Sequence, residues 1–323
     1  PPGRFYVQPM EQRALGDGGP KLSVIGLGCN NFGMRIDAEA STAVVHAALD
    51  AGITHFDTAE MYGGGRSEEF LGAALGARRG EVAIATKFSP RPTDEAYRPG
   101  VLADRIRTAV EGSLRRLGTD YIDVYYQHVP DLDGPVEEAL ETLNQLVEAG
   151  KVLYLASSNV SSAQITRAGE VAADRGWARF TGTQIEWSLL SRDVEESIVP
   201  AATATGLGVV PFFPLASGML TGKYRKDEPY PEDSRLGFAK KAGAAGLARF
   251  ATDENFAKVD AYTAFATENG HTVTELAIGW LLAQPSVTSV IAGATKPEQV
   301  AANVAAASWT LTDAEADTVA ALG

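Results

Sequence analysis

Short runs rich in β-branched and aromatic residues alternate along the chain with longer stretches in which apolar residues return every three or four positions. The first kind of run reads as strand and the second as amphipathic helix. Strand-like runs lie near Gly26 to Cys29, Thr54 to Asp57, Val82 to Lys87, Ile122 to His128, Val152 to Ser157, Gly182 to Glu186, Gly208 to Phe212 and Val287 to Ile291. In PVEEALETLNQLVEAG, Val136, Leu140, Leu143 and Val147 share one helical face, and Gly150 ends the pattern as a C-terminal cap does. Ahead of the first run, two strand-like pieces between Glu11 and Ile25 flank Gly16-Asp17-Gly18-Gly19-Pro20. That spacing predicts a hairpin that caps one end of the fold.

Eight βα units predict a closed (β/α)8 barrel of the α/β class, because a doubly wound open sheet carries a phosphate fingerprint in its first turn. GLGCNNFG, from Gly26 to Gly33, spaces its glycines as G-x-G-x4-G and fails the G-x-G-x-x-G pattern. The stretch from Lys223 to about Thr252 holds Asp227, Pro229, Pro231 and Asp233 and is too long for an ordinary connection, so it is expected to be functional or disordered. Residues 10–323 read as one barrel domain with an N-terminal hairpin and a long insertion after the seventh strand. Residues 1–9 lack periodicity and read as a loose tail or an expression remnant.

Composition narrows the partners. The 323 residues are 45% hydrophobic and 21% charged, with a net charge of -13 and a pI near 4.8. Such a surface repels phosphate backbones and anionic lipid, so neither nucleic acid nor membrane is an expected partner. One cysteine, Cys29, excludes an internal disulfide framework and suits a reducing compartment. With no bilayer-length apolar run and no signal peptide in view, the chain is expected to be cytoplasmic.

The candidate chemistry lies at the ends of consecutive strands, where the connecting loops of a barrel form its mouth. GITHFDTAEMYG ends a strand at Asp57 and carries Tyr62 five residues on; EVAIATK ends in Lys87; YIDVYYQH ends in His128. Each residue has a plainer role alone: Asp57 as a turn former, Tyr62 as rim packing, Lys87 as a solvated rim residue, His128 as a structural histidine like His46 and His55. His271 reads as a surface residue near a helix start. Together they form a proton-handling set. A carboxylate beside Lys87 keeps it charged, and a charged ammonium lowers a phenol from its usual ~10. Tyr62 is therefore expected to exchange a proton close to neutral pH, with His128 orienting a carbonyl oxygen or sharing the proton.

FDTAEMYG, ATK and YYQHVPD resemble the catalytic tetrad of the aldo-keto reductase superfamily, and the likeness runs from the hairpin to the last βα unit. The resemblance implies NADPH/NADP+-dependent reduction of a small-molecule carbonyl substrate on a (β/α)8 barrel. By it Tyr62 is the general acid, Lys87 tunes it, Asp57 pairs with Lys87 and His128 orients the carbonyl, with no metal. It also implies that Ser158, Asn159 and Gln184 hold the nicotinamide amide, that Trp187 stacks on the ring where most members have Tyr, and that Phe213, Pro214, Leu215, Ala216, Gly218 and Lys223 wrap the pyrophosphate. Arg235 matches an arginine that closes over the phosphates, and Cys29, Asn30 and Arg35 align with cofactor-contacting positions. Gly293, Thr295 and Lys296 stand at an expected helix start, which suits a phosphate; Gln299 and Asn303 lie one turn apart, facing an adenine. The cation there favours NADPH over NADH.

Two other readings compete. The eighth-unit GA-x-x-x-EQ pattern also resembles ion-channel β-subunits, which implies a cofactor-sensing regulatory subunit with slow or vestigial activity; those subunits depart at the His128 position. A Schiff-base lyase would use Lys87 as nucleophile, which needs a neutral amine. Substrate choice is expected to reside in the loops Asn30 to Arg35, Ser89 to Pro99 and Lys223 to Thr252, whose neighbouring aromatics include Phe88, Tyr97, Tyr224 and Tyr230. The oligomeric state and the direction of reaction are open.

Overall fold

The computed structural model describes residues 10–90, 97–131, 133–243 and 245–323. The expected tail over residues 1–9 and the middle of the expected Ser89 to Pro99 loop lie outside the described residues. The hairpin forms from β1 (Gln12–Ala14) and β2 (Lys21–Ser23), antiparallel, with Arg13 opposite Leu22. Strand and helix then alternate as β3 (Ile25–Gly28), α1 (Ala38–Asp50), β4 (His55–Asp57), α2 (Arg66–Leu75), β5 (Ala83–Phe88), α3 (Val101–Leu117), β6 (Ile122–Gln127) and α4 (Val136–Glu148). The second half follows as β7 (Val152–Ser158), α5 (Ser162–Arg175), β8 (Phe180–Glu186), α6 (Ile198–Ala204), β9 (Gly208–Phe212), α7 (Arg235–Ala242), α8 (Asp253–Glu268), α9 (Val273–Leu282), β10 (Val290–Gly293), α10 (Pro297–Ala305) and α11 (Asp313–Leu322).

Local chemistry fixes these boundaries. Asp37 caps α1 by accepting from the Ala40 N–H at 3.0 Å, and Ser161 with Gln164, Thr272 with Glu275, and Thr312 with Glu315 form capping boxes. The expected face of α4 is buried at Leu140 and Leu143, whereas Val136 and Val147 are half-buried at its edge. Gly150, at φ +71°, follows the helix end as predicted.

Eight parallel strands form one sheet in the order β10-β3-β4-β5-β6-β7-β8-β9. Its two ends meet through a bridge between Val209 and Val287, where Val209 donates to Ser286 O and Thr288 donates to Val209 O, both at 2.8 Å. The fold is therefore the expected (β/α)8 barrel. The expected last strand, Val287 to Ile291, is corrected: Val287 makes the closing bridge to β9, and the strand proper starts at Val290 and pairs with Ile25 to Gly28. One run of apolar residues serves both neighbours in turn.

Leu15 and Leu22 from the hairpin enter the barrel and pack with Ala85, Val124, Tyr126, Ala156, Val210 and Ile291. A Cβ on Gly182 would lie 2.5 Å from Leu15 Cδ1, so the plug fits only because β8 carries glycine there. The larger core lies between the sheet and the helical ring, and includes Phe56, Ile84, Val110, Leu140, Leu155, Val171 and Leu276. Much of the long Lys223 to Thr252 stretch folds, with α7 capped by Ser234, whose Oγ accepts from Gly237 at 3.1 Å. Tyr224 accepts from the Leu236 N–H at 3.2 Å and donates to Ser217 O at 3.3 Å, tying this segment to the loop after β9. Among the described residues no helix is long and apolar enough to cross a membrane.

Candidate active site

Strand parity sends Asp57, Lys87 and His128 inward at the same end of the barrel, beside a loop that turns back at Tyr62. That turn passes directly against the loop after β3: Gly63 sits at φ +60°, and a Cβ there would lie 2.7 Å from Phe32 O. Glycine at this position lets the chain reverse and bring Tyr62 over the strand ends.

Lys87 is fully buried, and its Nζ donates to Asp57 Oδ1 at 2.7 Å, Asp57 Oδ2 at 2.5 Å and Thr58 O at 2.8 Å. The ammonium faces these oxygens and also interacts with the Tyr62 hydroxyl. Burial alone would lower its pKa, but Asp57 and Tyr62 outweigh burial and the net direction is up, so Lys87 stays charged. Gln184 completes the pair by donating its Nε2 to Asp57 Oδ1 at 2.7 Å. Tyr62 lies above, with the Lys87 Nζ 5.1 Å from its ring centroid, and His128 meets it edge-on at 5.8 Å between centroids and 81° between planes.

The expectation that Lys87 brings Tyr62 toward neutrality is corrected. Burial raises the phenol more than Lys87 lowers it, and the net direction is upward from 10. Tyr62 is therefore a neutral, protonated phenol at pH 7. His128 is pushed down to about 4, first by burial and then by the Lys87 charge. It is a neutral imidazole whose buried Nδ1 has no partner among the described residues. His55, one layer deeper, is also held neutral by burial, at about 4, with Nδ1 2.8 Å from Ser289 Oγ.

A cavity of about 530 Å³ opens from Tyr62 and His128 across the barrel mouth. Ser158, Asn159 and Gln184 line it side by side: Ser158 Oγ donates to Gln184 O at 3.0 Å, and Asn159 Nδ2 donates to Ser158 Oγ at 3.0 Å. Along the far wall run Phe213, Pro214, Leu215, Gly218 and Lys223. Phe213, Ala216, Ser217 and Gly218 all have positive φ, from +44° to +92°. Successive residues in this conformation turn backbone N–H groups toward one side, the concavity that suits an anion.

Cations gather on the same side although the chain is strongly acidic. Arg235 and Arg35 line the cavity, and burial followed by the charge of Arg35 brings Arg235 down to about 10. The Arg235 Nε and the Ser217 Oγ are buried with no partner among the described residues. Buried polar atoms of this kind are normally satisfied. An unpartnered guanidinium and hydroxyl beside a loop of exposed amides fit a phosphate-bearing cofactor, and the residues present thus suit a dinucleotide. Asn30, Gly293, Thr295, Gln299 and Asn303 line the other end, with Gln299 Oε1 accepting from the Thr295 N–H at 2.7 Å. Lys296 caps the start of α10 and reaches Asp233 Oδ2 at 3.4 Å, while Arg35 Nη2 donates to Asp233 O at 3.0 Å. Residue 233 is thus held from both sides across the mouth.

Three of the residues expected at the cofactor are sealed in the core instead. Cys29 is fully buried, its thiol directed to Leu27 O at 3.7 Å, and burial pushes its pKa well up. Ala216 is fully buried and shapes the loop through its backbone. Trp187 is 1% exposed, crosses Trp280 at 84°, and donates its indole N–H to Glu195 Oε1 at 2.9 Å. Trp187 is not among the cavity-lining residues, whose aromatic faces are Phe212 and Phe213, at 5.3 Å and 74°. Lys296 stands at the exposed rim rather than on the cavity wall. Sequence reasoning did not assign Asn31, Phe212, Ser217, Asp233 and Ser234 to the lining, although Asn31 lies in the Asn30 to Arg35 loop, Asp233 and Ser234 in the Lys223 to Thr252 stretch, Phe212 at the end of a strand-like run and Ser217 between the expected Phe213 and Gly218.

A parallel barrel whose mouth holds a buried lysine–aspartate pair under a neutral phenol, next to a phosphate-suited groove, defines a class: oxidoreductase barrels that work without a Rossmann domain. Comparison with known proteins agrees. A sequence model of the Aldo/keto reductase family matches residues 24–323, and this chain belongs to that family. It is 37% identical over 305 residues to a protein of Oryza sativa subsp. japonica named "Probable voltage-gated potassium channel subunit beta", covering 92% of this chain and 91% of that protein. An Arabidopsis thaliana protein of the same name is 35% identical over the same coverage. "Probable aldo-keto reductase 1" of Glycine max is 34% identical over 307 residues, covering 93% of this chain and 84% of that protein.

Proposed function

We propose that this protein reduces aldehyde or ketone carbonyls to alcohols with NADPH, and that Tyr62 is the proton donor. The observation that carries the reading is the buried Lys87–Asp57 pair, at 2.5 to 2.7 Å, under the protonated Tyr62. NADPH held in this groove would supply the hydride for the carbonyl carbon. The Tyr62 hydroxyl gives its proton to the carbonyl oxygen, which becomes the alcohol. The fixed charge of Lys87 stabilises the phenolate left behind, in a site where desolvation makes that charge count more than in water. Asp57, held by Gln184, keeps Lys87 in place. His128, neutral at working pH, donates a hydrogen bond to the oxygen and helps select its orientation.

Arg35, Lys223 and Arg235, with the Ser217 hydroxyl, hold the phosphates, and Lys296 is placed for a 2′-phosphate at the start of α10. The reading is tested by following NADPH absorbance with a panel of aldehydes: many turnovers per chain in the wild type and a rate lower by about 100-fold or more in Tyr62→Phe. A lyase based on Lys87 is disfavoured because its amine is charged and paired with Asp57. The names of the Oryza sativa and Arabidopsis thaliana relatives favour a second reading, a cofactor-sensing regulatory subunit of a channel. That reading expects oxidation of no more than about one NADPH per chain, so the same assay separates the two.

A further inference from the structure

Tyr62 rides on a loop that leaves β4 at Asp57 and enters α2 at Arg66, whereas its partner Lys87 stands on β5. Their spacing is therefore set by how the loop is tied to that strand. Two backbone bonds tie it, from the Thr58 N–H to Ala85 O at 2.8 Å and from the Glu60 N–H to Lys87 O at 3.2 Å. Carboxylates add a second set. Glu60 Oε1 accepts from the Ser89 N–H at 2.8 Å and from Arg105 Nη2, while the fully buried Glu68 accepts from Thr86 Oγ1 and Arg116 Nε, each at 2.6 Å. Thr86 and Ser89 bracket Lys87 in the chain, and Arg105 and Arg116, eleven residues or about three turns apart, share one face of α3. The loop that carries Tyr62 is thus pinned at both ends beside the lysine it must meet. None of these four charged side chains is among those lining the cavity at the mouth, so their effect on the reaction is indirect.

We propose that Glu60, held by Arg105, is a positioning residue that fixes the Tyr62 loop over Lys87; the inference rests on the reductase reading above. Charge-assisted hydrogen bonds are stronger than neutral ones, and Glu60 takes one from α3 while also gripping the backbone just after β5. Misplacing a reacting group by about 1 Å can cost about 100-fold in rate, so a slack loop lowers turnover with the cofactor groove intact. Glu68 anchors the other end, but deleting the fully buried partner of Arg116 threatens folding itself. Glu60, with its side chain 13% exposed, is the better test. The molecule also supplies a matched control. Asp123 Oδ2, on a side chain 16% exposed, accepts from the Ile84 N–H at 2.9 Å and from Arg79 Nη2 at 2.6 Å, the same chemistry at the opposite end of β5 and β6.

Glu60→Ala, Glu60→Gln and Asp123→Ala are compared with the wild type for Tm, for NADPH affinity by fluorescence quenching, and for kcat and KM with the aldehyde that turns over fastest. Both alanine variants lose Tm. Only Glu60→Ala loses kcat, by about tenfold to 100-fold, while its NADPH affinity and carbonyl KM stay within about threefold. Glu60→Gln, whose amide oxygen can still accept the Ser89 N–H, recovers part of that loss. An unchanged kcat in Glu60→Ala, an equal fall in Asp123→Ala, or a fall in kcat matched by a fall in NADPH affinity each overturns the proposal. Should Glu60→Ala not fold, an unchanged kcat in both Glu60→Gln and Arg105→Gln overturns it instead. Crystal structures of the wild type and Glu60→Gln give a readout independent of turnover: the Tyr62 ring, 5.1 Å from Lys87 Nζ in the wild type, shifts in the variant, and an unmoved ring counts against the role given to Glu60. A wild type without turnover sinks the reductase reading, and the position of that ring then still decides whether Glu60 sets the loop.

Discussion

Lowering the pH is expected to destabilise the fold through His55, and the size of the effect follows from its surroundings. His55 lies inside the barrel with 0% exposure, and a Cβ on Gly26 would lie 2.7 Å from its Nδ1. Burial lowers its pKa from 6.5 to about 4, while the unfolded chain keeps the ordinary value. The folded state therefore binds fewer protons than the unfolded state between those values, so stability rises with pH across that window. The contribution is fully present above about 6.5 and is lost as pH falls toward 4. Each pKa unit is worth about 1.4 kcal/mol, which gives about 3 kcal/mol in all and about 2 kcal/mol between pH 7 and pH 5. The assay is urea unfolding at half-unit steps from pH 7.5 to 4.5, for wild type and His55→Gln. Carboxylates and His128 titrate in both proteins and cancel in the difference. The wild type should lose about 2 kcal/mol more than the variant on going from pH 7 to 5; parallel curves would refute the claim that His55 is held neutral.

Four further outcomes are expected. Tyr62→Phe lowers turnover by about 100-fold or more while NADPH affinity, read by fluorescence quenching, stays within about threefold, because the hydroxyl acts on the carbonyl. Lys87→Met strands Asp57 with Gln184 as its remaining side-chain partner, which costs about 3–5 kcal/mol of stability by chemical denaturation, and Asp57→Asn with Lys87→Met restores part of it. On the proposed reading, in which Arg235 holds the phosphates common to both cofactors, Arg235→Ala weakens NADPH and NADH alike, whereas Lys296→Ala weakens NADPH by about tenfold more than NADH; equal losses from Lys296→Ala would remove the 2′-phosphate assignment. The kcat/KM for carbonyl reduction is flat from pH 6 to 9, because His128 titrates near 4 and Tyr62 above 10; a titration near 7 would give the acid role to another group.

The alternation of strands and helices was legible because each half of a βα unit has its own period, and eight repeats leave few other architectures. The tetrad positions were legible because strand ends converge in a barrel, so Asp57, Lys87 and His128 needed only a correct strand end to be placed. What the pattern hid depends on facts one residue finer. Gln184 and Glu186 share a face of β8, so Trp187, one residue further, turns toward the core. Phe213 adopts φ +53°, an unusual conformation for an aromatic residue that no spacing announces, and that reversal lets two consecutive rings, Phe212 and Phe213, line one cavity. The direction of the Tyr62 shift was hidden for another reason. A neighbouring ammonium can be guessed from a strand end, but the burial that outweighs it is a property of the packed site.

The charges at the barrel mouth fall into two groups with opposite physical logic. Lys87 and Asp57 are buried together and neutralise each other, so the pair stays in place whether or not a ligand is present; its cost of burial is met inside the protein by Gln184 and the Thr58 carbonyl. Arg235 is buried without a carboxylate partner among the described residues, close enough to Arg35 that the like charge lowers its pKa further. Two guanidiniums held near each other in a net acidic protein are unfavourable on their own. Asp233 offsets part of the Arg35 charge, and on the proposed reading a pyrophosphate between the two would offset the rest. On the proposed reading the internal pair sets the chemistry and Arg35 and Arg235 set the affinity. Raising salt to about 1 M, where screening acts within about 3 Å, should accordingly weaken dinucleotide binding while leaving turnover at saturating cofactor unchanged; a fall in saturated turnover would mean that the Lys87–Asp57 pair is open to solvent.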